Sequence, residues 1–321
     1  MTNSQPSSKT EDGEKLVQRK TNTGQAKAIR RASGTLGSAR AAVGTAGVGL
    51  TAALLVSVLA LAVVTALAFS QSARADDFML DVSRGVIDGY SSVHKFGRNE
   101  AVSSVEEDIW SAGGIYAFPT AAEAIRVRAG GDTADSARGS GARAVMIVGL
   151  DQNWTEISEA VTLAGSRAGA PTQTRFIRVF RAYVTDVGTY GGNNIGNIDI
   201  ESTASLNTLC RIAAGVGQSQ MAIYTIPAGK TGYLKRLHLV TESSANGNFR
   251  IWQRKNADDV TAPFSGKRLV FATDNLNRLF QVEFKHYISF PAKTDIWVAG
   301  SVRGGNKTSM AASFDLILVD N

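Results

Sequence analysis

One uninterrupted apolar run, VGLTAALLVSVLALAVVTALAF from Val48 to Phe69, divides this chain into a tail and a body. No formally charged residue lies between Arg40 and Arg74. At ~1.5 Å per helical residue the run is long enough to cross a hydrocarbon layer of ~30 Å. Three readings compete for it. A helix apolar on every side can be the buried centre of a protein assembly. Ala73-Arg74-Ala75 before Asp76 has the form of a signal-peptide cleavage site, but signal h-regions are only ~7–15 residues. A signal anchor or membrane-inserting helix has the right length and is the leading expectation. Gly44, Gly47, Ala52, Ala60 and Ala66 let helices approach closely, which favours self-association in lipid or in a bundle.

Ahead of the run, residues 1–24 are polar and carry too few apolar groups to offset the entropy of ordering, so a disordered tail is expected. Residues 25–42 turn to Ala, Arg and Lys, interrupted by Gly34 and Gly37. The formal charge of +6 sits mostly here: Lys9, Lys15, Arg19, Lys20, Lys27, Arg30, Arg31 and Arg40 stand against Glu11, Asp12 and Glu14. The body is close to balanced, so no specific nucleic-acid partner is expected. If the run spans a bacterial inner membrane, the basic excess before it predicts a cytoplasmic N-terminus and an outward-facing body.

After Asp76 the chain changes to short β-type runs bounded by Gly, Asn and Asp, an all-β pattern. The clearest are 142–150, 155–163, 176–187, 196–201, 220–226, 232–242, 249–253, 268–272, 280–290, 296–302 and 310–319. In Phe176 to Val184 both alternating sets are largely apolar, which places that strand between two layers or at an interface. Asn246-Gly247 is the strongest short hairpin signal, and Pro227-Ala228-Gly229-Lys230 marks another turn. The Gly-rich stretch Ala129 to Gly141 reads as a long exposed loop. The expected organisation is a polar, basic tail (1–46), an apolar helix (47–75), a first β-unit (76–205) and a second β-sandwich unit (206–321). These units are expected to be one or two jelly-roll-like sandwiches.

Chemistry is sparse. Cys210 is the only cysteine, which excludes an intramolecular disulfide and a Cys-cluster zinc site; among Leu209, Ile212 and Ala213 it reads as a small buried hydrophobe. His94, His238 and His286 have no metal-ligand spacing. Asp132 and Asp135 carry oxygens that suit Ca²⁺, as do Asn193, Asn194 and Asp199, but these are also ordinary turn residues. No phosphate loop or nucleophile elbow occurs. Trp110, Trp154, Trp252 and Trp297, with seven Tyr, are either core anchors or a stacking platform for carbohydrate or bases. No catalytic residue, cofactor site or metal site is assigned.

Several segments of the body resemble an uncharacterised family of virion structural proteins of marine tailed phages. They are FMLDVSRGVIDGYSSVHKFGRN (Phe78 to Asn99), EEDIWSAGG (Glu106 to Gly114), VRAGGDTADSARGSGAR (Val127 to Arg143), GLDQNWTEISEAVTLAG (Gly149 to Gly165), TYGGNNIGNIDIES (Thr189 to Ser202), YTIPAGKTGYLKR (Tyr224 to Arg236) and FDLILVDN (Phe314 to Asn321). The resemblance covers about residues 78–321 and leaves out the segment before them. It implies a non-enzymatic particle component: a capsid-decorating, fibre or tail-associated protein. Such a protein would be located in the virion with other virion proteins as partners. Particle proteins are usually symmetric multimers, and the doubly apolar strand Phe176 to Val184 offers surface that a monomer would struggle to cover, so a homotrimer is the first expectation, held to the particle by its N-terminal region. The alternative is an adhesin or binding module held on a bacterial membrane by Val48 to Phe69.

Overall fold

The computed structural model describes residues 78–130, 133–242, 245–304 and 307–321. The expected tail and the apolar helix, including Val48 to Phe69, lie outside the described residues. The chain divides into two units, 1–75 and 76–321. Among the described residues no helix is long and apolar enough to cross a membrane.

Among the described residues the body is all-β apart from a short helix at residues 78–84. Its strands begin with β1 (Tyr90–Val102), β2 (Glu107–Asp108), β3 (Glu123–Arg128), β4 (Ala142–Leu150) and β5 (Glu156–Thr162). There follow β6 (Arg175–Phe176), β7 (Arg178–Val187), β8 (Ile198–Ser202), β9 (Thr208–Ile212), β10 (Ile223–Thr225) and β11 (Lys230–Thr241). The last five are β12 (Gly247–Arg254), β13 (Arg268–Leu276), β14 (Leu279–Phe290), β15 (Asp295–Val302) and β16 (Thr308–Asp320).

Two sheets draw strands from both ends of the body. One has the order β1-β16-β11-β14, and the other β10-β15-β12-β13, with β2 also paired to β15. β2 and β10 lie in line along one edge of β15: Asp108 faces Ala299 and Ile223 faces Trp297. Between them Ala222 N donates to Ile109 O at 2.9 Å. They are thus two halves of one strand, and residues 110–221 leave and re-enter at a single point. Trp110 pairs with Met221, and Ser111 N donates to Gln220 O at 2.9 Å, so the two ends of the inserted segment form a short antiparallel stem.

Gly97 of β1 lies against this splice. A Cβ there would stand 2.2 Å from Ile109 O and 2.3 Å from Ala222 N, so only glycine lets the two backbones approach. The inserted segment carries its own sheets, β6-β3-β8-β9 and β5-β4-β7. Two apolar cores result. Leu237, Leu239, Phe314 and Leu316 of the first sheet meet Phe249, Ile251 and Val298 of the second in one core. Ile125, Ile147, Ile198 and Leu209 of the inserted sheets form the other core, together with Trp297 and Ala299 from the second sheet's opposite face. β15 therefore sends Ile296 and Val298 to one core and Trp297 and Ala299 to the other, and its Asp295–Gly300 stretch is buried on both sides. This is why the strand reads as continuously apolar rather than alternating.

Several expectations change. The divide between 205 and 206 falls inside the β8–β9 pair, where Ile200 faces Cys210, and residues 76–321 form one compact unit. The reason is that β1 and β2 complete the sheets of the C-terminal strands. Asn246-Gly247 is not a hairpin turn: it joins β11 of one sheet to β12 of the other. The two apolar faces of Phe176 to Val184 are covered within one chain, with Phe176 and Val179 in the inserted core and Ile177 and Phe180 in the other. That strand gives no ground for an oligomer. The Gly-rich stretch is not wholly exposed either, since Ala129 and Asp135 within it are buried. β1, long as it is, is weak in the pattern because its buried positions include Lys95, Gly97 and Asn99.

Candidate functional site

The outer face of the β1-β16-β11-β14 sheet gathers charged and aromatic side chains around two adjoining hollows. In β11, Lys235 and Arg236 stand between Leu234 and Leu237, and strict alternation would turn one charged side chain inward. A bulge resolves this: the register slips between Leu234 and Arg236 against both neighbouring strands. Leu234 and Leu237 remain buried while Arg236 faces out. On the β14 side the same slip takes up residues 284–287, and Tyr287 is 47% exposed. Bulges of this kind re-aim side chains at binding surfaces.

A row of polar and charged side chains crosses all four strands. His94 faces Asp315, Asp315 faces Arg236, and Arg236 faces Glu283. His94 Nδ1 lies 2.5 Å from Asp315 Oδ1, Arg236 Nε lies 3.6 Å from Asp315 Oδ2, and Lys235 Nζ lies 3.5 Å from Glu283 Oε1. Asp315 thus lies between His94 and Arg236, and Glu283 lies beside Lys235. Helix residues Met79 and Ser83 form a wall beside His94 and Asp315, enclosing a hollow of about 260 Å³. Next to it Phe78, Tyr90, Tyr233 and Tyr287 line a second hollow of about 230 Å³, and Ile317 belongs to both. Phe78 and Tyr90 pack edge to face at 5.7 Å.

The buried charges play a different part. Arg178 of β7 makes a bidentate pair with Asp295 of β15, Nε to Oδ1 at 2.8 Å and Nη2 to Oδ2 at 3.0 Å. Its Nη1 donates to Pro119 O and Ile177 O, while Arg254 Nη2 and Thr225 Oγ1 also donate to Asp295. Trp154 and Phe118 lie 4.9 and 5.3 Å from the Arg178 guanidinium. Lys95 Nζ donates to Phe180 O and lies over the Phe180 ring. Burial pulls its pKa down to about 7. These groups tie the inserted strand β7 to the sheets beneath it.

The residues singled out in the sequence do not converge on a metal. His94 pairs with Asp315, His238 is half-buried one row away opposite Ser313, and His286 is exposed on β14. Asp135 is wholly buried, and its carboxylate accepts Ala142 N, Ile195 N and Gly196 N at 2.7–3.0 Å. It is satisfied by backbone donors rather than set out for a cation. Asn194 bridges Gly196 O, Ala213 O and Gly217 N, Asn193 donates to Gly215 O, and Asp199 makes a bidentate pair with Arg211. Asp132 lies outside the described residues. Among those described, no group of three His, Cys, Asp or Glu side chains is placed to hold a metal ion. Cys210 is buried, and burial pushes its thiol up to about 11, away from thiolate chemistry at neutral pH.

Trp110, Trp154 and Trp297 are core residues. Trp252 is half-buried, donates to Glu106 and lies under Lys267. A solvent-facing aromatic cluster is built from Phe78 and three tyrosines that lie far apart in the chain and meet only through strand pairing.

No family model matches the chain, and no curated protein matches it. Among solved structures, infectious bursal virus derived T=1 particles are similar at 9% identity, covering 73% of this chain and 70% of that one, with a TM-score of 0.22. The infectious bursal disease virus Gt strain is similar at 9% identity, over 72% and 71% of the two chains, with a TM-score of 0.22. The VP2 subviral particle of that virus is similar at 10% identity, over 72% of each chain, with a TM-score of 0.21.

Proposed function

We propose that this chain is a non-enzymatic structural protein of a bacteriophage particle: a capsid-decorating, fibre or tail-associated module held by its N-terminal region. The observation that carries this reading is the winding of the two principal sheets. With β2 and β10 counted as one strand, the chain visits the sheets in the order β1, β2/β10, β11, β12, β13, β14, β15, β16, giving spatial orders 1-16-11-14 and 2/10-15-12-13. This is the winding of a jelly roll, an architecture that recurs in viral capsid and lectin domains. Fold alone does not fix function, and the segments between Phe78 and Asn321 that resemble phage virion proteins supply the particle context. The layout also suits a tethered module. Asp320 N donates to Gly89 O, so the final strand ends beside the start of β1 and the chain enters and leaves at one end of the sheet.

Assembly as a symmetric oligomer, with a trimer as the first expectation, is part of the same reading. Mass spectrometry of purified particles tests it. The chain should be present at a fixed copy number that is a multiple of the oligomer, and deletion of residues 1–75 should release it into the soluble fraction. Recovery only in host membrane fractions would instead support the adhesin reading, which the run Val48 to Phe69 and the lectin-type winding favour.

A further inference from the structure

We propose that the groove on the outer face of the β1-β16-β11-β14 sheet binds a neutral saccharide. This inference goes beyond the particle reading and does not depend on it, since a particle protein and a surface adhesin could both use such a site. Three observations carry it. First, the aromatic half presents Tyr90 and Tyr287, 38% and 47% exposed, together with Phe78 and the half-buried Tyr233. Aromatic faces of this kind accept the apolar C–H face of a sugar ring, and tyrosine hydroxyls keep the surface wettable. Second, the polar half adjoins it through Ile317 and offers directional groups: the far side of the His94 ring, the remaining guanidinium N–H groups of Arg236, and the hydroxyl of the exposed Ser92. The two hollows together fall within the size range of small-ligand sites, roughly 300–1,000 Å³.

Third, the charges of the floor are compensated in place. Asp315 stands between His94 and Arg236, and Glu283 answers Lys235. An anionic ligand would have to compete with these carboxylates for the cations, and a lipid tail would strand the whole polar row without partners. A hydroxyl-rich, uncharged ring with one apolar face satisfies both halves. The bulge at Lys235 supports the assignment, because it gathers Lys235, Arg236 and Tyr287 at the same spot.

The test uses the full chain in mild detergent against immobilised neutral gluco-, galacto- and manno-tetrasaccharides, their uronic-acid counterparts, and phosphatidylcholine vesicles. At least one neutral tetrasaccharide should bind, and Tyr287→Ala should weaken it at least tenfold with an unchanged thermal melt. Ser92→Trp, which adds bulk on an exposed floor position, should also block binding. Asp315→Asn, which leaves Arg236 without its carboxylate, should weaken the discrimination against the acidic sugars. Absence of binding to every neutral sugar would overturn the proposal. So would preference for the uronic acids lost with Arg236→Gln, which would mark an anion site, or binding to vesicles alone, which would mark a lipid surface. Neutral-sugar binding that survives both Tyr287→Ala and Ser92→Trp would place the site elsewhere and equally overturn it.

Discussion

Arg178 and Asp295, 117 positions apart in the chain, meet in a bidentate pair of 2.8 and 3.0 Å, with side chains only 2% and 0% exposed. The pair connects the inserted segment to the strand that serves both cores. It is therefore the joint most sensitive to removal of one partner. Arg178→Met should leave Asp295 buried with only Arg254 and Thr225 and cost about 3–5 kcal/mol. Urea unfolding should show a lowered midpoint at constant slope; a loss under about 1 kcal/mol would mean that the remaining donors suffice.

Gly97 supplies a steric counterpart. Gly97→Ala places a methyl 2.2 Å from Ile109 O, at the point where the inserted segment leaves the strand, and backbone rather than a flexible side chain would have to move. A loss of about 1–3 kcal/mol or more is expected. Gly266→Ala, with nothing within 4 Å, should stay within about 0.5 kcal/mol of the parent. Parallel thermal melts decide whether the splice is as tight as the distances make it.

Two buried charges set opposite pH trends. Burial lowers Lys95 from 10.5 to about 7, so between these values the native state binds fewer protons than the unfolded chain and stability rises with pH. Burial raises Asp108 from 3.8 to about 6, against the Tyr116 N–H that it accepts, so stability falls as pH rises through that window. Both penalties are present between about pH 6 and 7. Lys95→Met should flatten the alkaline slope, and Asp108→Asn should flatten the acid slope. Unfolding free energies measured from pH 4 to 10 check both; an unchanged alkaline slope in Lys95→Met would show that another group titrates there.

Asp135 distinguishes a peg from a cation site. Its oxygens accept three backbone N–H groups, one from the start of β4 and two from the loop before β8, so Asp135→Ala should cost about 1–3 kcal/mol by leaving those donors unsatisfied. The melt of the parent should not move between EDTA and millimolar Ca²⁺. A calcium-dependent rise lost in Asp135→Ala would reverse the assignment.

The splice also dictates which fragments fold. Residues 76–321 should give a cooperative melt, because they hold both halves of the interrupted strand as well as β1. A fragment of 206–321 lacks β1, and with it the neighbour that pairs along β16 from Tyr90 to Val102. It should be largely unfolded or aggregated, and a cooperative melt with native-like β circular dichroism from that fragment would contradict the topology.

Much of the strand content was legible in the residues themselves. The runs at 142–150, 232–242, 296–302 and 310–319 match β4, β11, β15 and β16 closely, because period-two alternation or a doubly apolar run is a local consequence of the pleat. The turn at Ala228-Gly229 was legible for the same local reason, Gly229 taking φ +73. The partners of those strands were not legible. Glu107 to Ile109 is too short to show a pattern, and its union with Ala222 to Thr225 is a long-range pairing with no local trace. β1 hid because its buried positions include an amine, a glycine and an amide, each suited to a tertiary neighbour: Phe180 O, the splice, and Asp108 O. The groove stayed hidden too. Tyr90, Tyr233 and Tyr287 come from three strands that meet on one face only through the pairing of β1, β16, β11 and β14. The sequence by itself determined that the body is built of strands, since alternation is written residue by residue. Tertiary structure decided the pairing, the inserted segment and the groove, because register and packing are properties of segments that meet only when the chain closes on itself.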